Sequence, residues 1–235
     1  MIERYALEKM SLVWEDEFKF RTMLVIEILA LEALAKQKKV PSAAVQRIKK
    51  KARFEVGKIN AIEEKTHHDI VAFVNCVAQS IGKDAQYLHR GLTSSDLLDT
   101  TLGVQLQAAS DILLDDLKRL SIILAKQARK YRDMVCVGRT HGIHAEPTTL
   151  GLKLALWYDE TKRNIQRLQE AQKAVSVGKV SGAVGTFSHN GPEVEEYICR
   201  KLGLKPAPIS TQVIQRDIYA EYVCTLAVIA ASLEQ

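Results

Sequence analysis

The sequence predicts an all-α protein: a small N-terminal helical domain followed by a truncated long-helix bundle domain. Three observations predict it. Ala, Leu, Lys and Glu abound, while only 12 glycines and 5 prolines are spread over 235 residues, a balance that favours helix. Apolar residues recur at helical spacing almost throughout, with no strand-like alternation. Residues 95–130 run without a proline, longer than an ordinary globular helix.

Residues 15–37 read as a first helix, closed by "KKVPS". Shorter helices follow to about residue 90, with breaks near Gly57, at "EEKTHHD" and at "SIGKD". These make an N-terminal domain over residues 1–92, and residues 93–235 make an incomplete central one. From Ser95 to Lys130, the residues Leu98, Leu102, Leu106, Ala109, Leu113, Leu117, Leu120 and Leu124 step by four or three, as a buried stripe does. Such a helix is about 50 Å long and needs equally long neighbours to cover it, hence a bundle. A second long helix starts near Thr149, with Leu150, Leu154, Trp157, Thr161, Ile165 and Leu168 on one face. A third begins near Thr211 and runs into "ASLEQ", which has no glycine cap, proline or polar tail. That ending predicts a piece of a longer protein.

Composition narrows the function. Hydrophobic residues at 47% and charged residues at 26% describe a globular chain with a sizeable core. A formal charge of +5 suits an anionic small molecule and falls short of a nucleic-acid footprint. The basic run "RIKKKAR" at 47–53 reads as a solvated helix face. Cys76, Cys136, Cys199 and Cys224 form no CxxC pair, which argues against zinc and disulfides and fits a reducing cytosol. "MIERYALEKM" has no apolar signal core, and no apolar run approaches the ~20 residues that span a bilayer. The expectation is a soluble cytoplasmic protein with no membrane, nucleic-acid or metal partner.

Three polar clusters carry possible chemistry. In "THHD", Thr66 and Asp69 have capping-box spacing, yet capping requires neither His67 nor His68. A helix start also attracts anions. In "HRGLTSSDLLDT", Thr93 and Asp96 repeat that spacing, and Thr93, Ser94 and Ser95 supply more hydroxyls than one cap uses. A redundant cap and a phosphate or carboxylate site are both open readings. In "GRTHGIHAEPTTLG", Gly138 and Gly142 free the backbone around His141, and Pro147 sets up the next helix. Histidine titrates near neutrality and so suits proton transfer. No HExxH motif accompanies His141 and His144, so zinc is not expected; His144 reads as support. The glycine-rich "GKVSGAVGTFSHNGP" lacks a phosphate-loop ending and reads as a packed connection, with His189 on a surface turn.

Six segments in register, "MIERY", "THHDIVAF", "GLTSSDLLDT", "GRTHGIHAEPTTLGLKLALWYDE", "GKVSGAVGTF" and "APISTQVIQRD", resemble the bacterial adenylosuccinate lyase family of the fumarase/aspartase superfamily. The resemblance covers essentially the whole chain. It implies an all-helical homotetramer with active sites where subunits meet, and no cofactor. The implied reaction releases fumarate from adenylosuccinate to leave AMP, and likewise cleaves the succinylated carboxamide precursor in purine synthesis. By position, His141 matches the general acid, and His68 joins it in the catalytic set, orienting substrate or helping to hold phosphate. Arg4 and Tyr5 match nucleotide-phosphate contacts; His67, His68 and Asp69, then Thr93 and Ser94, then Gln212 match further substrate contacts.

The sequence departs from the family in one respect. The family's general base is a serine in an "SSxMPxKxN" loop, and no such segment occurs here. The chain thus reads as the N-terminal domain and about half of the central one, and alone it is expected not to turn over substrate. The competing expectation is a non-catalytic helical assembly or regulatory module on the same scaffold.

Overall fold

The apolar run from Phe18 to Leu34 folds as α2 (Asp16–Lys36) in a computed structural model that describes residues 2–235. Apolar residues lie around this helix on several sides because several neighbours cover it. They are α1 (Glu8–Val13), α3 (Ser42–Lys51), α4 (Val56–Thr66) and α8 (Pro192–Leu202). α5 (Asp69–Ile81) packs on α3 and α4. At the centre, Phe20 and Phe73 stack with ring centroids 5.7 Å apart, and Phe54 meets both edge-on. Such aromatic pairs contribute about 0.5–1.5 kcal/mol beyond area burial. Single 3-10 segments cover Glu3–Tyr5 and Gly82–Tyr87.

The long proline-free run is one helix, α6 (Ser94–Lys130), of 37 residues. After it come β1 (Val135–Thr140), β2 (Ile143–Thr149), α7 (Leu150–Val175) and β3 (Val177–Gly178). α8 follows, then β4 (Lys205–Pro206), parallel to β3, and α9 (Asp217–Glu234). The chain divides into two compact units. The first joins the residues through Ala108 with Ser176–Arg216, and the second joins Ala109–Val175 with Asp217–Gln235. A cut at residue 92 is a different one: it marks where the chain enters α6.

Helical content dominates, as expected, and three features differ from the sequence reading. The stretch after α6 is an antiparallel hairpin, with Val135 opposite Thr149 and Thr140 opposite Ile143. Both strands are exposed or half-buried throughout, so no apolar alternation announces them. Pro147 therefore stands in a strand opposite Val137, three residues before the helix it was expected to open. α9 starts at Asp217, because the segment from Thr211 to Arg216 is tied down as loop by Asp99. α8 went unread between a proline and a glycine that fit it well: Pro192 sits in its first turn and Gly203 ends it with φ +73°.

Candidate active site

His141 owes its place to the hairpin. A two-residue connection joins Thr140 to Ile143, and both of its residues have positive φ, His141 at 55° and Gly142 at 74°. That is the requirement of a I′ hairpin turn, and histidine is among the few side chains that tolerate it. The expected backbone freedom is thus real at Gly142. Gly138 serves another purpose: the register slips between Val137 and Arg139, and a Cβ at 138 would lie 2.6 Å from the Glu146 carbonyl oxygen. His141 is exposed at the tip, and His144 is exposed on β2 opposite Arg139. Between the hairpin flank and α7 lies an open groove of about 730 Å³, lined by Arg139, Thr140, Glu146 and Lys153 among others.

In the first unit, the hydroxyl cluster is anchored more deeply. Asp96, in the first turn of α6, is fully buried. Its Oδ2 accepts from the Thr93 backbone N–H at 2.9 Å, which is half of the capping box read from the sequence. Its Oδ1 accepts from Lys179 Nζ at 2.6 Å and from the Gly182 N–H at 3.2 Å. Lys179 is also fully buried, and its ammonium donates a second bond to the Gly182 carbonyl at 2.6 Å. One turn on, Thr100 exchanges two hydrogen bonds with the Lys179 backbone. Nearby, Glu195 accepts from the Val180 N–H at 2.6 Å. Burial first, and the Asp96 charge after it, hold the Glu195 carboxyl above its ordinary range.

Asp99 repeats the device one turn along α6. Its carboxylate accepts from the Ile214 N–H at 2.7 Å and from Arg216 at 3.0 Å. Ser181 and Ser210 share a hydrogen bond of 2.7 Å, and Gly185 leaves no room for a Cβ against the Ser210 carbonyl. Three segments distant in sequence are thereby brought together: that of Thr93 and Ser94, the glycine-rich stretch, and the loop bearing Gln212. Thr93 and Ser94 are half-buried, and Gln212 is exposed. Sequence reading missed Lys179, Asp99 and Glu195. A lysine among glycines reads as solvated, although the valines flanking it, Val177 and Val180, were a usable signal.

The "THHD" cluster is built differently from its capping-box reading. Thr66 ends α4 instead of capping α5, because His67 takes a left-handed conformation with φ 50° and breaks the helix there. His68 is the N-cap: its Nδ1 accepts from the Val71 N–H at 3.4 Å, and Asp69 Oδ1 accepts from the Ile70 N–H at 2.7 Å. With Nδ1 accepting, a neutral His68 ring carries its proton on Nε2. Both histidines are exposed. Arg4 and Tyr5 are exposed in the first 3-10 turn, with the guanidinium 4.9 Å from the ring centroid. Among the described residues, no hydrogen bond or ion pair joins Arg4 and Tyr5, the 67–69 cluster, or Thr93 and Ser94 to one another.

One further histidine is engaged. His89 Nδ1 lies 2.6 Å from Glu27 Oε1, and its backbone N–H donates to Oε2 at 2.9 Å. Burial pulls the His89 imidazole down, but the Glu27 hydrogen bond and charge, aided by Asp96, outweigh it and raise the group above the usual histidine value. Among the described residues, no cluster of three or more His, Cys, Asp or Glu is placed to hold a metal ion. None of the described helices is long and apolar enough to cross a membrane.

A family profile described as "Lyase" matches residues 4–235. The chain belongs to the lyase family. Within it, the chain is 50% identical over all 235 residues to the adenylosuccinate lyase of Bacillus subtilis (strain 168). It is 46% identical, again over its whole length, to that of Staphylococcus saprophyticus. The resemblance read from the six motifs is borne out. The chain spans about half of each of these relatives, 54% of their length. Among solved lyase-family folds, a fumarate lyase from Mesorhizobium sp. BNC1 superposes with TM-score 0.91 at 29% identity, over 97% of this chain and 55% of that one. The 3-carboxy-cis,cis-muconate lactonizing enzyme of Pseudomonas putida follows with TM-score 0.86 at 31% identity, over 95% and 53%.

Proposed function

We propose that the chain forms the acid-bearing half of an adenylosuccinate lyase. Identity of 50% to a relative of that name, unbroken over 235 residues, carries the reading. The reaction is a β-elimination: a base removes the proton on the carbon beside a carboxylate, the C–N bond breaks, and an acid protonates the departing nitrogen. Fumarate and AMP result, and the succinylated carboxamide precursor is cleaved in the same way. An imidazole at the tip of a hairpin, clear of its own chain, suits the acid, and we assign it to His141. His68 assists, with Nε2 free to face substrate. Arg4, Tyr5, His67, Asp69, Thr93, Ser94 and Gln212 then bind the nucleotide and the succinyl carboxylates.

The base is proposed to lie outside this sequence, on the family's serine loop. A cytoplasmic homotetramer, and domains divided at residues 92 and 93, belong to the same reading of the longer protein. The test is fumarate release from adenylosuccinate by the 235-residue chain and by any longer product of its reading frame. The chain alone is expected to release none. The longer product is expected to release it and to lose about a hundredfold to ten-thousandfold in His141→Ala. His141-dependent release by the chain alone overturns the missing-base reading. A longer product that binds AMP but releases no fumarate favours the non-catalytic module.

A further inference from the structure

From the buried contacts of the first unit, we infer that Lys179 and Asp96 are a positioning pair that fixes Thr93 and Ser94 for substrate. The inference rests on the reading of those two residues as substrate contacts. Neither charge touches solvent: both side chains are fully buried and 2.6 Å apart. A buried pair of this kind contributes little net stability against an apolar substitute, so its value lies in geometry.

Every residue of the approach to α6 is gripped. His89 is held by Glu27, the Arg90 carbonyl accepts from Asn190 Nδ2 at 3.1 Å, and a Cβ on Gly91 would lie 2.7 Å from that same Nδ2. The Leu92 N–H donates to the His89 carbonyl at 3.3 Å, and the Thr93 N–H donates to Asp96 at 2.9 Å. Asn190 grips from the far end of the glycine-rich stretch, and Asp96 reaches the start of that stretch through its second oxygen, at Lys179 and the Gly182 N–H. Lys179 decides where that oxygen sits, because its ammonium is fixed by the Gly182 carbonyl and its backbone by Thr100. Two oxygens hold two amides, so the pair sets the distance between the Thr93 turn and the Gly182 turn.

Replacing Asp96 by Asn leaves one acceptor oxygen for two amides, and Lys179→Met removes the charge that aims it. The double variant Lys179→Met/Asp96→Asn removes both charges, which spares the fold the unpaired buried charge of either single change. The test uses the 235-residue chain. Measurements are melting temperature, amide proton shifts and hydrogen exchange at Thr93 and Gly182, and AMP affinity by titration. Thr93→Ala/Ser94→Ala serves as the comparator.

The double variant is expected to melt near the wild type. One of the two amides should move upfield and exchange at least about tenfold faster, while core amides such as Val77 stay protected. AMP should weaken by about tenfold, as in the comparator. Unchanged shifts and protection at both amides in a folded double variant overturn the positioning role. If the double variant does not fold, Lys179→Arg replaces it, and an unshifted Gly182 amide there overturns it equally. Loosened amides with AMP affinity unmoved in the comparator refute the substrate-contact reading, and leave the pair as the device that sets the loop.

Discussion

Two candidate clusters, one in each unit, are held by opposite means. In the first, Thr93 and Ser94 are set by buried charge: Asp96 and Lys179 are fully enclosed, and Asp99 grips the loop of Gln212. In the second, His141 stands exposed at a hairpin tip, held by backbone pairing and by the sign of two φ angles. Buried charge fixes geometry at a high cost of failure. A hairpin fixes it cheaply, and leaves the side chain free to move toward a partner group. On the proposed function, the pattern suits a binding wall that must not shift and an acid that must deliver a proton.

The largest expected effect breaks the first of these. Lys179→Met alone leaves Asp96 charged, buried and short of its cation, and should cost about 3–5 kcal/mol, read as a fall in urea midpoint. A change under about 1 kcal/mol would mean that water reaches Asp96 and that burial does not set this loop. Next, Gly151→Ala strikes the second unit where its tolerance ends. The new Cβ would lie 2.5–2.7 Å from the Arg132 Cα and N and the Ala128 carbonyl, all of them backbone. About 1–3 kcal/mol of destabilisation follows, and an unchanged melting temperature would show that the start of α7 can slide.

A pH series sharpens the contrast further. His89 is raised by Glu27, so its stabilisation is complete below the unfolded value of about 6.5 and is lost as pH rises through the higher folded value. The melting temperature should fall across that window in the wild type and stay flat there in His89→Gln. A wild-type curve as flat as the variant's would dismiss the pair as a contributor. The smallest effect belongs to His141→Asn, which keeps a side chain tolerant of positive φ at an exposed position. Stability should change by less than about 0.5 kcal/mol, and a larger loss would reveal that the tip is packed.

What could be read in the sequence follows the same divide. The long helices were legible because one repeated period, sustained over many turns, outweighs local noise. The stripe of α6 holds at Leu106, Ala109 and Leu117, which are buried, and its remaining leucines are half-buried. The hairpin was illegible because a strand exposed on both faces carries no alternation. Thr66 was misread because capping spacing says nothing of whether the preceding helix has ended, and His67 ends it one residue later. Lys179 was passed over because its partner lies 83 residues away, beyond the reach of any local pattern.

That separation has a consequence during synthesis. As the chain leaves the ribosome, Asp96 emerges well before Lys179, and at about 5–20 residues per second the wait is roughly 4 to 17 s. Throughout it the carboxylate has no cation to accompany it inside, and α8, which covers α2, has not been made. The nascent first unit cannot be completed until its last segment, Ser176–Arg216, has left the ribosome. It is a natural client for whatever shelters chains at the exit tunnel.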